Sequence, residues 1–365
     1  MTTPARPLRV LFKGAAMYIL VNIVYALINP AVTLSVYNSA FAGRSRFPFA
    51  GQNISYSVMI DDVDAMLASH RVSAKKEADE FRIVAIGDSS VWQEGVAAPD
   101  TFLEYLNAQN IKCGEKRAVF YNLGYPHPSV VKDLVIMREA LKAEPDLIVW
   151  FVTLNTILPR RVNPFIDANR SQTLAILDAY ELSLAGEDEL RAERQGLWSK
   201  SLIGKRSLLA RWIKLQALGL IWQATELDYH DDGAQDLPPE NDLSDTISFM
   251  GMQPDTTISE TLLLHAVQAG HTLAGETHIL LVNEPIFIAN GENSEIRYNK
   301  SYPRWAYDQY RAALADEARM NEWDYLDLWD AVPARYFSTI LHLTEDGGWL
   351  AADALRPTIS ELYCQ

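Results

Sequence analysis

Four short stretches of this chain carry residue types that could do chemistry together. The first is Gly87-Asp88-Ser89-Ser90. It follows Phe81-Arg82-Ile83-Val84-Ala85-Ile86, five of whose six residues are apolar, the pattern of a buried central strand. A serine just past such a strand puts a hydroxyl at the carboxyl end of a sheet, the edge where open α/β folds assemble their sites. Two further apolar runs end in the same manner. Ala118 to Asn122 leads into Leu123-Gly124, and Asp146 to Val152 leads into Thr153-Leu154-Asn155. Near the C-terminus, His342, one of seven histidines, lies in Leu341-His342-Leu343-Thr344-Glu345-Asp346-Gly347-Gly348. A serine hydroxyl attacks well only when a base removes its proton, and a tetrahedral intermediate needs donors fixed where negative charge develops. Taken singly, each residue also reads as a cap or turn: Ser89 as an N-cap, Gly124 as a turn, Asn155 as a cap, His342 near the start of the last helix.

Ser, Gly, Asn and His in this order, three of them just past a strand, resemble the four blocks of the SGNH (GDSL-type) hydrolase superfamily. The resemblance spans residues 80–160 and 278–365. It implies that Ser89 is the nucleophile and His342 the base. It also implies an oxyanion hole made by the backbone N–H of Ser89, the backbone N–H of Gly124 and the side-chain amide of Asn155. Gly124 suits that role because a residue without Cβ lets the backbone approach a substrate. Two departures stand out. The family's Asp three residues before the histidine is Thr339 here, and the usual Gly-x-Asn-Asp third block reads Thr153-Leu154-Asn155-Thr156. A missing acid deprives His342 of its orienting partner. A backbone carbonyl, Asp330 or Asp346 could substitute; the alternative is a non-catalytic binding or scaffolding module on the same fold.

The elements that must position these residues alternate: strand 82–87, helix near 100–110, strand 118–122, helix 128–143 and strand 146–152. Alternation with crossovers of this length implies a parallel sheet covered on both faces. Residues 160–255 break the pattern and read as a helical insertion. Ser207 to Leu227 forms an amphipathic helix with Trp212 and Trp222 in the insertion's core, and an acidic, solvated loop runs from Asp228 to Asp245. Alternation resumes with helix 257–274, strand 279–282, helix 304–320, strand 324–328 and a last helix near 346–362. The expected fold is α/β: a flavodoxin-like three-layer sandwich with a five-stranded parallel sheet, a helical insertion and an N-terminal transmembrane helix. The loop after the fourth strand, Asn283 to Trp305, is rich in groups that bind sugars or anions. Asn283, Arg297, Tyr298 and Trp305 are its candidate substrate contacts, with an ordered structural loop as the alternative.

The bulk numbers narrow the partners. The chain has 365 residues, 48% of them apolar, and a net charge of −15 with no basic stripe, which argues against nucleic acid. Neither a metal-ligand cluster nor a Gly-rich phosphate loop is present in the sequence, so no cofactor is expected. Residues 1–13 carry Arg6, Arg9 and Lys13 without an acid, and no charged residue occurs from Gly14 to Gly43. This charge-free run is long enough to cross a bilayer, and its cationic flank places the N-terminus in the cytoplasm. The domain reading is a cytoplasmic segment at 1–13, an anchor at 14–37, a juxtamembrane segment at 38–78 and a catalytic domain at 79–365. Cleavage after Ala42, in Ala40-Phe41-Ala42, is the alternative to a retained anchor. Together these readings describe a membrane-anchored, extracytoplasmic serine esterase or O-acyltransferase. The resemblance implies an acylated carbohydrate or cell-envelope polymer as the substrate, with a lipid ester second. In the expected sheet order, Cys113 and Cys364 end two helices on one face and come towards each other. An oxidising compartment would let that pair persist as a disulfide.

Overall fold

The computed structural model describes residues 7–28, 34–49, 58–159, 162–192, 196–225, 227 and 239–364. Six strands form one sheet: β1 (Glu80–Ile86), β2 (Lys112–Cys113), β3 (Lys116–Asn122), β4 (Leu147–Val152), β5 (His278–Asn283) and β6 (Asp324–Asp327). The order is β2-β3-β1-β4-β5-β6. The five long strands pair in parallel, in the expected flavodoxin-like order. The sixth corrects the expected count of five. Lys112 and Cys113 pair antiparallel with β3 across the two-residue turn Gly114-Glu115. Gly114 takes a φ of +60°, which a residue without Cβ adopts at little cost. A two-residue strand is too short to show a period, so composition could not reveal it.

Both sheet faces are buried, which is why the central strands read as unbroken apolar runs. On one face, Ile83, Ala85, Val149 and Phe151 pack against helices Phe102–Ala108 and Glu345–Tyr363. On the other, Val84, Ile86, Ile148 and Trp150 meet helices Val130–Ala140, Leu264–Ala274 and Arg304–Met320. The first and last helices therefore share a face. Cys113 and Cys364 are disulfide-bonded, with Cα atoms 3.7 Å apart.

The segment before β1 is not a free linker. Ile60, Val63, Met66 and Val72 are buried in the main core. Arg82 ties this layer to β1, with its guanidinium donating to the Val72 carbonyl at 3.0 Å and the Ala143 carbonyl at 2.9 Å and pairing with Glu80. His70, also fully buried, is fixed as one tautomer. The Val72 N–H donates to Nδ1 at 3.1 Å, which leaves Nε2 to donate to the Ser45 carbonyl at 3.0 Å.

Burial, followed by the Arg71 charge, lowers the His70 pKa to about 3. The unfolded chain titrates near 6.5 and so binds more protons between those values. His70 stability is therefore fully present above about pH 6.5 and lost as pH falls towards 3. About 2–3 kcal/mol should disappear between pH 7 and pH 4.5 from this group alone. Denaturant titrations at the two pH values check this: His70→Asn, which keeps an acceptor for Val72, should flatten the pH dependence.

The insertion between β4 and β5 is helical, as expected. Helices Pro164–Ala168, Arg170–Tyr180 and Glu187–Ala192 precede a longer one. That helix runs from Arg206 to Ala224, with a wider turn at Leu215–Gly219. Trp212 and Trp222 pack partly buried against the main core. Residues 228–238 of the acidic loop lie outside the described residues. Asp242 beyond them is not merely solvated, since it accepts the Glu292 N–H at 2.9 Å. The N-terminal apolar helix spans Pro7–Ile28, earlier than the charge-free run alone suggested. Its 22 residues are long and apolar enough to cross a membrane. Arg9 and Lys13 fall inside it, because helix propensity continues through a basic flank that hydropathy leaves out.

Candidate active site

Ser89 opens a four-residue helix, Ser89–Trp92, at the carboxyl end of β1. The Asp88 carboxylate caps it, accepting the Ser90 N–H at 2.9 Å, and Gln93 ends it in a left-handed conformation with φ +62°. So short a helix cannot hold itself together, and neighbours clamp it. Arg46, buried and stacked 4.0 Å from the Trp92 ring, donates to the carbonyls of Trp92, Gln93 and Val96 at 2.9–3.2 Å. The Asn122 side-chain amide donates to the Val91 carbonyl at 2.7 Å. From below, Lys132 donates to the carbonyls of Gly87 (2.7 Å) and Tyr125 (2.6 Å) and pairs with Asp133 at 3.0 Å. Lys132 and Asp133 are both fully buried. Breaking such a pair costs about 3–5 kcal/mol, because the survivor is an uncompensated charge.

His342 arrives from the far end of the chain. Its Nε2 lies 2.8 Å from Ser89 Oγ. The loop that presents it is laced by backbone bonds: the Ser338 N–H donates to the His342 carbonyl at 2.9 Å, and Phe337 bridges Leu343. Thr339, where an acid was expected, serves this turn. Its Oγ1 accepts the His342 N–H at 3.0 Å. Neither Asp330 nor Asp346 comes within ion-pair distance of the imidazole. Among the described residues the carboxylate that does is Glu94, 3.9 Å from Nε2. Glu94 therefore sits on the side of the ring that faces Ser89, beside the nitrogen that contacts the serine hydroxyl. Glu94→Gln should lower kcat about tenfold, or ~1.4 kcal/mol in the barrier, while Ser89 stays labelled by an active-site probe. An unchanged kcat would remove Glu94 from the chemistry.

The remaining candidates divide. The Ser89 N–H, first in its helix, has no partner within the helix and is available to an oxyanion. Gly124 is placed differently from expectation. It lies buried beneath the Val91-Trp92 backbone, where a Cβ would come within 2.4 Å of the Trp92 nitrogen. Its N–H donates to Asn122 Oδ1 at 3.1 Å, so in this conformation it props the nucleophile helix rather than facing a substrate. Asn155 lies half-buried on helix Leu154–Ile157, at the carboxyl end of β4, beside β1.

The four candidate substrate contacts all have partners within the fold. Asn283 is fully buried, donating to Asp327 at 2.8 Å and accepting from Tyr310 at 2.9 Å. Arg297 donates to the carbonyls of Thr246, Asn299 and Lys300. The Tyr298 hydroxyl donates to Asp308 at 2.7 Å, and the Trp305 indole to the Ile247 carbonyl at 2.6 Å. Arg297 and Trp305 fasten the loop to the insertion, and Asn283 and Tyr298 bond β6 and helix Arg304–Met320. The residue type suggested recognition because it shows hydrogen-bonding capacity but not where that capacity is used.

Sequence reasoning did not single out Arg46, Glu94, Lys132 or Glu284. Glu284 follows β5 and accepts the Ser90 hydroxyl. Burial, and then the Asp88 charge, push its carboxyl well above the usual range. The one available signal was its place at a strand end, in Asn283-Glu284-Pro285.

With Ser89 and His342 in hydrogen-bond contact at the carboxyl edge of a parallel sheet, the chain can be set beside known structures. Similar chains include lipolytic proteins and esterases. Among solved structures are a G-D-S-L family lipolytic protein from Veillonella parvula (13% identity, 77% of this chain and 99% of that one, TM-score 0.37) and a lipase/acylhydrolase from Enterococcus faecalis (12%, 77% and 95%, 0.37). A catalytic mutant of an acetylxylan esterase from Geobacillus stearothermophilus is similar at 13% identity, over 78% of this chain and 96% of that one, with a TM-score of 0.38. No family model matches the chain, and no curated protein is matched by its sequence. Identities and TM-scores this low carry no argument about this chain.

Proposed function

We propose that the protein is a serine esterase or O-acyltransferase that works through an acyl-enzyme at Ser89. The observation that carries this reading is the 2.8 Å contact between Ser89 Oγ and His342 Nε2. In the first half-reaction Oγ attacks the ester carbonyl and its proton passes to Nε2. The tetrahedral intermediate collapses, and Nε2 returns that proton to the departing alcohol oxygen. In the second, water or an acceptor alcohol gives a proton to Nε2 and attacks the acyl carbonyl. Ser89 then leaves with the proton restored. The Ser89 N–H and the Asn155 amide are the proposed oxyanion donors, with Gly124 joining them only if its bond to Asn122 opens.

The acyl group is proposed to be short. A cavity of about 20 Å³ lies beside Ser90, walled by Val91, Phe102, Phe151, Leu341 and Leu343. It is mostly apolar, with Ser90 and Glu284 as its polar lining, and sized for a couple of heavy atoms rather than a fatty chain. This favours an O-acylated carbohydrate or cell-envelope polymer over a lipid ester. Pro7–Ile28 is proposed to be a retained membrane span, with the sheet domain outside the cytoplasm. The disulfide fits that side, since such bonds persist in oxidising compartments.

A serine-directed fluorophosphonate tests the reading. Covalent labelling is expected on the wild type and not on Ser89→Ala. Labelling of neither protein would move the assignment to a non-catalytic binding module.

A further inference from the structure

Helix Arg206–Ala224 is apolar on two sides. Leu208, Leu215 and Gly219 face the protein. The side turned to solvent carries Ala210, Ile213, Ala217, Leu218 and Ile221, with Arg206 at its start and Lys214 at its middle as its charges. Ile213 and Ile221 are 52% and 56% exposed. An outward apolar stripe of this length needs a cover, because a soluble surface helix keeps polar residues there.

Its position names the cover. The Val36 N–H donates to Gln216 at 2.8 Å, and the Tyr37 hydroxyl donates to the Leu215 carbonyl at 3.4 Å. The helix is thus fastened to the segment that follows the anchor. Six peptide steps from Ile28 to Leu34 reach no more than about 22 Å. At its other end the insertion meets the anchor directly. Tyr25 and Ala26 line a cavity together with Ser199, Lys200 and Lys205. Leu34 and Phe41, 60% and 58% exposed, extend the apolar surface beside the helix.

We propose that helix Arg206–Ala224 lies on the bilayer surface, with Ile213, Leu218 and Ile221 among the acyl chains and Lys214 at the level of the head groups. The inference rests on reading Pro7–Ile28 as a retained span. With both contacts in place the domain has a fixed tilt against the membrane instead of swinging on a tether.

Single-cysteine probes in the full chain, reconstituted in lipid nanodiscs, test it. Both native cysteines are bridged, so an introduced thiol is the labelling site. A fluorophore at Ile213→Cys or Ile221→Cys should be quenched about twofold by lipids carrying a shallow nitroxide. One at Ile19→Cys reports the span, and one at Leu350→Cys, on the helix covering the opposite sheet face, should stay unquenched. Quenching at Ile19 with none at Ile213 and Ile221 would overturn the surface helix and leave the span standing. No quenching at Ile19 would overturn both. Probes at Ile213 and Ile221 that escape quenching and cross-link between copies would show that a second protein molecule covers the stripe, which also overturns the proposal.

Discussion

His342→Ala in the full-length protein is expected to lower kcat on a short-chain chromogenic ester by at least about three orders of magnitude. Without the imidazole, Ser89 Oγ must give up its proton to water as it attacks, and the departing alkoxide has no proton source. Ser89→Ala should cost about as much, since either loss removes the same covalent route. The double variant should then be little worse than either single one, because nucleophile and base act as a unit. Rates that multiply across the two substitutions, or a loss of less than tenfold for His342→Ala, would break the dyad assignment. Acetyl esters should be cleaved far faster than octanoyl esters if the cavity beside Ser90 holds the acyl group. The reverse preference would return lipid esters to first place.

Reducing the Cys113–Cys364 bond should destabilise the fold by about 5 kcal/mol in the chain-entropy model. The bridge closes a loop of 251 residues, so it restrains nearly the whole sheet domain in the unfolded state. It joins the edge strand β2 to the end of the last helix, two places that otherwise fray. Paired denaturant titrations, oxidised against reduced or against Cys113→Ser/Cys364→Ser, measure the effect. The midpoint should fall while the native spectrum and esterase activity persist, because the bridge lies at the sheet edge opposite Ser89. A shift below about 1 kcal/mol would mean that the reduced unfolded chain is already compact.

Much of the framework was legible in the chain. Unbroken apolar runs such as Leu147–Val152 mark strands buried on both faces, and the turn residues after them mark the site edge. Arg304–Met320 was readable to its ends because a long amphipathic period leaves little choice. What escaped depends on contacts between distant residues. Thr339 differs from the expected acid, but only the fold shows its hydroxyl holding the His342 backbone. Gly124 lacks Cβ for a reason, although the close neighbour is Trp92 and not a substrate. The polar loop from Asn283 to Trp305 looked like a recognition surface because composition cannot say which donors are already engaged. Lys132 reads as an ordinary helix-face cation until β1 and the Tyr125 turn are folded over it.

The clamp on the Ser89 helix bears on how the domain can be cut from helix Pro7–Ile28. Arg46, which holds the carbonyls after Ser89, lies 34 residues before the start of the sheet at Glu80. The layer from Ile60 to Val72 closes one flank of the core. A fragment begun at the first strand, where a reading of domains by strand pattern would start it, loses both. It uncovers Tyr121 and Tyr125 and leaves the Ser89 turn without its guanidinium. A shortened version should instead begin near Leu34, keeping Arg46 and the layer from Ile60 to Val72 while omitting the candidate span Pro7–Ile28.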